Sequence, residues 1–152
     1  MAHYIHEGGR KLRQKVRAIV TNTAGEVLLI QPHGYGPDEW TLAGGGVEAG
    51  ESPVEAMRRE LAEELGLACE EPIQLPVTNR FVYSEDYKRK RDLDHDGQDA
   101  VMFMVRVPKD CSLRLQAEEV AQARWFTPDA AAAAFPVMAQ RVAFQECMVL
   151  AA

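Results

Sequence analysis

The chain has 152 residues, 47% of them hydrophobic, with 17 Lys or Arg against 23 Asp or Glu and a formal net charge of −6. That length suffices for one buried core and is short for two ordinary domains, while the acidic balance argues against broad affinity for duplex nucleic acid or anionic membranes. Cys69, Cys111 and Cys147 are odd in number and show no CxxC spacing, so neither a disulfide framework nor a zinc site is indicated and reduced, mostly buried thiols are expected. No apolar segment near Met1 resembles a secretory leader, and no later run reaches membrane-spanning length, so a cytoplasmic protein is expected.

Residues 1–14 are polar and read as a flexible N-terminal arm, with His3 and His6 facing solvent, ahead of a single domain over 15–152. Lys15 to Asn22 and Val27 to Gln31 are β-branched and apolar runs separated by Thr23, Ala24, Gly25 and Glu26, the pattern of a β-hairpin. A Pro/Gly-rich loop over 32–39 and a short strand from Trp40 to Ala43 deliver the chain into Gly44, Gly45 and Gly46. Three glycines allow backbone to approach a ligand closely, and a carbonyl there can complete the shell of a cation.

A helix follows, with a physical reason for its start: Ser52 as N-cap, Pro53 at the first helical position and Glu55 three residues after the cap. It is expected to run to Leu65 and stop at Gly66, which takes a left-handed conformation without steric cost. Val54, Met57, Leu61 and Leu65 form its core stripe. Glu60, Glu63 and Glu64 lie off that stripe within an arc of roughly 100°. Like charges so spaced cost an isolated helix roughly 0.2 to 0.5 kcal/mol per pair, a sign that a cation reverses. The plain alternative for such a cluster taken alone is a solvated acidic face.

The cluster is not alone. Gly45, five residues, Glu51, seven residues, then Arg59, Glu60, Leu61, any residue, Glu63, Glu64, any residue, Gly66 and Leu67 give nine specified positions at fixed spacing. This stretch resembles the Nudix box, and the chain is similar to Nudix hydrolases of the MutT-like kind. The resemblance implies an α/β fold, a Nudix-type α/β/α sandwich with a mixed β-sheet, and hydrolysis of a nucleoside diphosphate linked to another group with Mg²⁺ or Mn²⁺ as cofactor. It also implies catalytic roles for Glu60, Glu63 and Glu64. Metal ligation falls to Glu60 and Glu64 first, with Glu63 as a third ligand or the base, and with the Gly44 carbonyl and Glu119 outside the helix. Gly45, Glu51, Arg59 and Gly66 take structural roles, Glu51 and Arg59 bracing the loop against the helix through an ion pair. Substrate contacts are expected at Gly45, Gly46, Arg80, Lys88 and Arg89. Ala43 stands where many family members carry proline, which leaves the loop less rigid.

Beyond the box, Ile73 to Tyr83 is extended and interrupted by Pro76, and Ser84 to Asp99 is a charged loop whose consecutive cations Lys88 to Arg91 are candidates to reach phosphates. Asp92, Asp94, Asp96 and Gly97 imitate the start of an EF-hand loop, but Phe103 occupies the place of the bidentate glutamate, so calcium is not expected. Gly97 and Gln98 resemble the same region of family members that act on dinucleoside polyphosphates or triphosphate RNA ends. Val101 to Val107 reads as a buried strand, Ser112 to Gln116 as a short one and Ala123 to Phe126 as another. Glu119 precedes Trp125 by six residues, the place from which related hydrolases add a carboxylate to the metal site, with Glu118 as the fallback. Thr127 and Pro128 cap a helix to Ala134, and after Pro136 a last helix runs from Val137 to Leu150, with Val142, Phe144, Cys147 and Met148 available for packing.

These readings converge on a hydrolase that cleaves a diphosphate linkage in a nucleotide-type substrate by water attack at phosphorus, with Trp40, Phe81 and Tyr83 as candidates to stack on a base. The rivals are a dinucleoside polyphosphate or RNA 5′-end pyrophosphohydrolase, and a non-catalytic nucleotide-sensing Nudix domain. An isoprenoid diphosphate isomerase shares the fold but needs a cysteine before the box, and none precedes Cys69. The expected partner is a small nucleotide, with neither duplex nucleic acid nor membrane, and a homodimer is left open.

Overall fold

The computed structural model describes residues 1–68 and 71–151. Cys69 lies outside the described residues; Cys111, half-buried, and Cys147, buried, are free thiols. Among the described residues the elements are β1 (Tyr4–Glu7), β2 (Arg10–Asn22), β3 (Val27–Pro32), β4 (Ala43–Gly46), α1 (Pro53–Leu65), β5 (Ile73–Val82), α2 (Glu85–Arg91), β6 (Gly97–Val107), β7 (Val120–Phe126), α3 (Pro128–Ala134) and α4 (Met138–Ala151).

The strands form one sheet in the order β5-β6-β2-β3-β7, with β1 and β4 also pairing with β2. β2 and β6 run parallel from Leu12 opposite Gly97 to Asn22 opposite Val107, and the other pairs are antiparallel, so the sheet is mixed. A strand's side chains alternate between faces. Val16, Ala18 and Val20 therefore pack with Met57, Leu61 and Leu65 of α1. Ile19, Met102 and Met104 pack with Phe135, Phe144 and Cys147 on the side of α3 and α4. Two apolar cores, one on each face, make the α/β/α sandwich that the resemblance implied. Each large side chain buried in them contributes about 1.5 to 3 kcal/mol.

β2 and β3 pair only at Val20 with Leu28 and Thr21 with Val27. Beyond that point β4 takes the place beside β2, from Lys15 opposite Gly46 to Ala18 opposite Ala43. This split sets a glycine strand over α1. The helix begins with the expected capping box: the Glu55 N–H donates to Ser52 Oγ at 3.2 Å and the Ser52 N–H to Glu55 Oε1 at 3.1 Å. It ends at Gly66 with φ +66°.

Four expectations differ from the structure. The strand read from Trp40 to Ala43 lies instead at Ala43–Gly46, Thr41 making only an isolated bridge to Ile30. Residues 1–14 are not an arm: β1 pairs with β2 from Tyr4 opposite Arg13 to Glu7 opposite Arg10, and Lys11 Nζ sits 4.2 Å from the Tyr4 ring. Their polarity reflects a hairpin at the sheet margin. The 84–99 segment is not a plain loop, because it holds α2, capped by Ser84 Oγ accepting from the Tyr87 N–H at 3.1 Å, and the first residues of β6. A helix of seven residues with four cations and no buried side chain leaves no apolar stripe to read. Ser112 to Gln116 is not a strand: the Arg114 N–H donates to Leu65 O at 2.9 Å and the Gln116 N–H to Glu64 O at 3.1 Å. Its backbone donors serve the open carbonyls at the end of α1 rather than a neighbouring strand.

Candidate active site

α1 turns Glu60 and Glu64, one helical turn apart and both buried, toward the glycine strand. Glu64 Oε1 accepts from the Gly44 N–H at 2.7 Å. Glu60 lies so near β4 that a Cβ on Gly45 would come within 2.4 Å of its Oε1, so only glycine admits the carboxylate there. Arg59 ties the assembly together. Its Nε and Nη2 donate to Glu51 at 2.8 and 3.0 Å, its Nη1 to Glu60 Oε1 at 2.9 Å and its Nη2 also to Gly46 O at 2.9 Å. The expected ion pair between Glu51 and Arg59 is thus bidentate, the geometry that suits a planar guanidinium. Hydrogen bonding to Arg59 holds the Glu51 carboxyl below its usual range. Glu63 projects further out, its side chain half exposed and 3.4 Å from Arg59 Nη1.

Burial pushes the Glu64 carboxyl up to about 7, against the opposing charge of Arg17 and the Gly44 N–H. Burial also raises Glu60, against Arg59. Two carboxylates whose charged forms are disfavoured, on one turn of helix, make an arrangement that a cation relieves. The donors are all oxygen, which fits a hard divalent ion. Glu119 is exposed, its backbone oxygen accepts from the His33 N–H at 3.1 Å, and its charge is among the influences that raise Glu64. Among the described residues no group of three or more His, Cys, Asp or Glu side chains converges closely enough to hold an ion. Glu60, Glu63, Glu64 and Glu119 therefore form no closed cage of side chains.

A cavity of about 220 Å³ adjoins the glycine strand, with Lys15, Arg17, Phe81, Tyr83, Tyr87 and Arg91 in its wall. Lys15 and Arg17 alternate along β2 with the α1-facing valines and stand opposite Gly46 and Gly44. Arg17 Nη1 donates to Leu42 O at 3.2 Å. Burial, with the charges of Arg17 and Arg13, brings the Lys15 ammonium down to about 7. Tyr83 and Tyr87 stack with centroids 4.8 Å apart, and the Arg91 guanidinium lies 4.7 Å from the Tyr87 ring and 5.7 Å from that of Tyr35.

Several residues expected at the site are engaged elsewhere. Arg80 bonds Asp99, with Nε to Oδ2 at 2.9 Å, and also pairs with Glu7; strand alternation sets it opposite to Phe81, away from the cavity. Lys88 Nζ donates to Asp96 Oδ1 at 2.7 Å, and Arg89 pairs with Asp86. Trp40 is core, edge-on to Phe126 at 5.1 Å. Phe81 and Tyr83 do line the cavity, and Gly45 and Gly46 are spent on Glu60, Arg13 and Arg59. Asp96 also accepts from the Lys11 N–H at 2.8 Å, and Asp94 pairs with Lys11 and His95, so two acids of the EF-hand imitation serve protein groups. Sequence reasoning missed Lys15, Arg17, Tyr87 and Gln140. The legible signal was Lys15 and Arg17, two cations at alternate positions of an apolar strand, hence on one face of the sheet.

The family model described as NUDIX domain matches residues 11–145. The chain is 35% identical over 113 residues to an RNA pyrophosphohydrolase of Halorhodospira halophila, an alignment covering 72% of this chain and 61% of that one. It is 38% identical over 78 residues to the nucleoside triphosphatase NudI of Escherichia coli, covering 51% of each. The chain thus spans about half to three-fifths of the length of these relatives. The E. coli dihydroneopterin triphosphate pyrophosphohydrolase superimposes with a TM-score of 0.73 at 21% identity, over 88% of this chain and 92% of that one, a likeness of fold. With the domain model covering most of its length and every fixed position of the box filled, the chain belongs to the Nudix family.

Proposed function

We propose that the protein is a Nudix pyrophosphohydrolase that uses Mg²⁺ or Mn²⁺ to cleave a diphosphate linkage in a nucleotide-type substrate. The observation that carries this reading is the pair of buried carboxylates, Glu60 and Glu64, held under a glycine strand by Arg59. Glu60 and Glu64 would hold the ion, with the Gly44 carbonyl and Glu119 as further oxygens. A divalent ion bound there supplies polarisation of the phosphoryl oxygens and a lower pKa for an attacking water. Glu63, half exposed beside Arg59, would accept the water's proton, with Glu60 the second choice. Arg17 and Lys15 offer positive charge to the phosphates from the neighbouring strand.

The relatives named RNA pyrophosphohydrolase and nucleoside triphosphatase support both nucleotide classes as substrates. A sensor that only bound nucleotide would have no use for carboxylates whose burial is so unfavourable. One domain, a small nucleotide as partner rather than duplex nucleic acid, and a cytoplasmic setting complete the proposal, the last supported by the free thiols Cys111 and Cys147. No helix among the described residues is long and apolar enough to cross a membrane.

The test is hydrolysis of a panel of nucleoside triphosphates, dinucleoside polyphosphates and triphosphate RNA with Mg²⁺, comparing wild type with Glu64→Gln. Loss of about 10³-fold or more in kcat with an unchanged circular dichroism spectrum is expected. Wild-type turnover in that variant sinks the assignment.

A further inference from the structure

Among the described residues four buried side-chain polar atoms have no hydrogen-bond partner, and three of them, Arg17 Nε, Gln98 Nε2 and Gln140 Oε1, belong to residues that line the cavity beside the glycine strand. Gln98 is 3% exposed. Its orientation is set by Tyr83, whose hydroxyl donates to Gln98 Oε1 at 3.0 Å, which leaves the amide N–H₂ as the open group. Gln98 comes from β6 and Gln140 from α4, so the orphaned atoms gather from separate elements at one place. Buried donors and acceptors left unpaired are costly, and their concentration in one cavity marks groups kept for a ligand.

The rest of the wall describes that ligand. Phe81, Tyr83 and Tyr87 supply flat aromatic surface, with Tyr83 edge-on to Phe81 at 5.7 Å and stacked on Tyr87. Cations stand on the side of the glycine strand, where Arg17 is paired in register with Gly44 and Lys15 with Gly46. At about 220 Å³ the cavity is smaller than those that enclose drug-sized ligands, roughly 300 Å³ and more, so it suits one planar ring system rather than a whole nucleotide.

We infer that this cavity reads the base of the nucleotide, with Gln98 donating to and Gln140 accepting from its hydrogen-bonding edge while the phosphates leave past Arg17 toward Glu60 and Glu64. The inference rests on the hydrolase reading and deepens it. It makes Gln98 and Gln140 specificity-determining residues for that reaction. An edge that offers no acceptor to Gln98 leaves that amide unpaired, so discrimination among bases follows from the penalty for a buried unpaired group.

The experiment measures kcat and KM for ATP, GTP, CTP and UTP with Mg²⁺ in wild type, Gln98→Ala, Gln140→Ala and the double variant. The expected result is a KM for the preferred nucleotide raised roughly five- to tenfold per variant, kcat within about twofold, and a flattened ranking of the four bases. Gln140 sits on the less buried helix, so its variant reports even where Gln98→Ala lowers stability. A ranking unchanged in both overturns the inference and means that water satisfies these amides. A second readout separates this failure from that of the hydrolase reading: the side-chain amide NMR signals of Gln98 and Gln140 during titration with the four nucleoside 5′-monophosphates. Shifts specific to one base in a protein that hydrolyses none of the panel overturn the hydrolase and keep the pocket. No shift in either amide overturns the pocket.

Discussion

The carboxylate half of the site and the aromatic half differ in how far apart in the chain their parts lie. The first is drawn almost wholly from Gly44 to Gly66, and one guanidinium reaches Glu51, Glu60 and the Gly46 carbonyl. The second takes residues from β2, the 32–39 loop, β5, α2, β6 and α4. A contiguous site is constrained at nearly every position, because each residue must serve the helix, the cap, the loop or the ion. A dispersed one needs only that each strand or helix contribute one side chain, so its members can change without disturbing their neighbours. On the proposed function, reaction class would reside in the contiguous part of the molecule and substrate choice in the scattered part.

The sharpest way to break the contiguous half without removing a carboxylate is Gly45→Ala. The added Cβ meets Glu60 Oε1 at 2.4 Å, and the flexible end of that side chain has to move. A loss of about 10²-fold in kcat is expected, with melting within a few degrees of wild type, since misplacement rather than unfolding is the damage. Steady-state kinetics beside thermal melting checks it.

Arg59→Ala should act on both stability and activity, because it leaves Glu51 and Glu60 without their cation and Gly46 O without its donor. Urea unfolding should show a loss of about 2 to 3 kcal/mol.

The two halves also carry opposite titrations. Glu64 holds its proton up to about 7 in the fold, so between the ordinary carboxylate range and 7 the folded chain binds more protons than the unfolded one, and the stability of metal-free protein falls as pH rises. Lys15 is brought down to about 7, so between 7 and its ordinary 10.5 the folded chain binds fewer protons, and stability rises with pH. With EDTA present these two groups together produce a dip near neutral pH of a few degrees in Tm. Glu64→Gln removes the acid limb and Lys15→Met the alkaline one. Added Mg²⁺ should raise Tm more at pH 8 than at pH 5, where it competes with the proton on Glu64.

The smallest effect belongs to a residue first expected at the substrate. Arg89, paired with Asp86 on the exposed face of α2, should tolerate alanine with KM within about twofold. A larger change would return α2 to the substrate path.

How much of this was legible depends on the range of the interactions. The cap at Ser52, the stop at Gly66 and the Glu51–Arg59 brace are local, and the residues announce them. Arg80 and Arg91 show the opposite case. Both are arginines near aromatic residues, yet the partner of Arg80 is Asp99 on the next strand, and Arg91 reaches Tyr35 across the cavity. Nothing within a few positions of either says which will be paired off and which left to line the pocket. The β1–β2 hairpin went unread for a related reason: its polar residues face water on the sheet margin, so the alternation that marks a strand is missing.

The parallel pairing of β2 with β6 also bears on how the molecule assembles. Leu12 meets Gly97 and Asn22 meets Val107, each across 85 positions of chain, with the whole box enclosed in the intervening loop. Closing so long a loop is entropically slow, and until it closes β2 has no neighbour on one side against which to hold the glycine strand. The motif and the β2–β4 pairing under it are complete by Leu67, but β2 gains its second neighbour only when β6 docks, so the sheet beneath the helix carrying Glu60 and Glu64 is finished only once synthesis has passed residue 107.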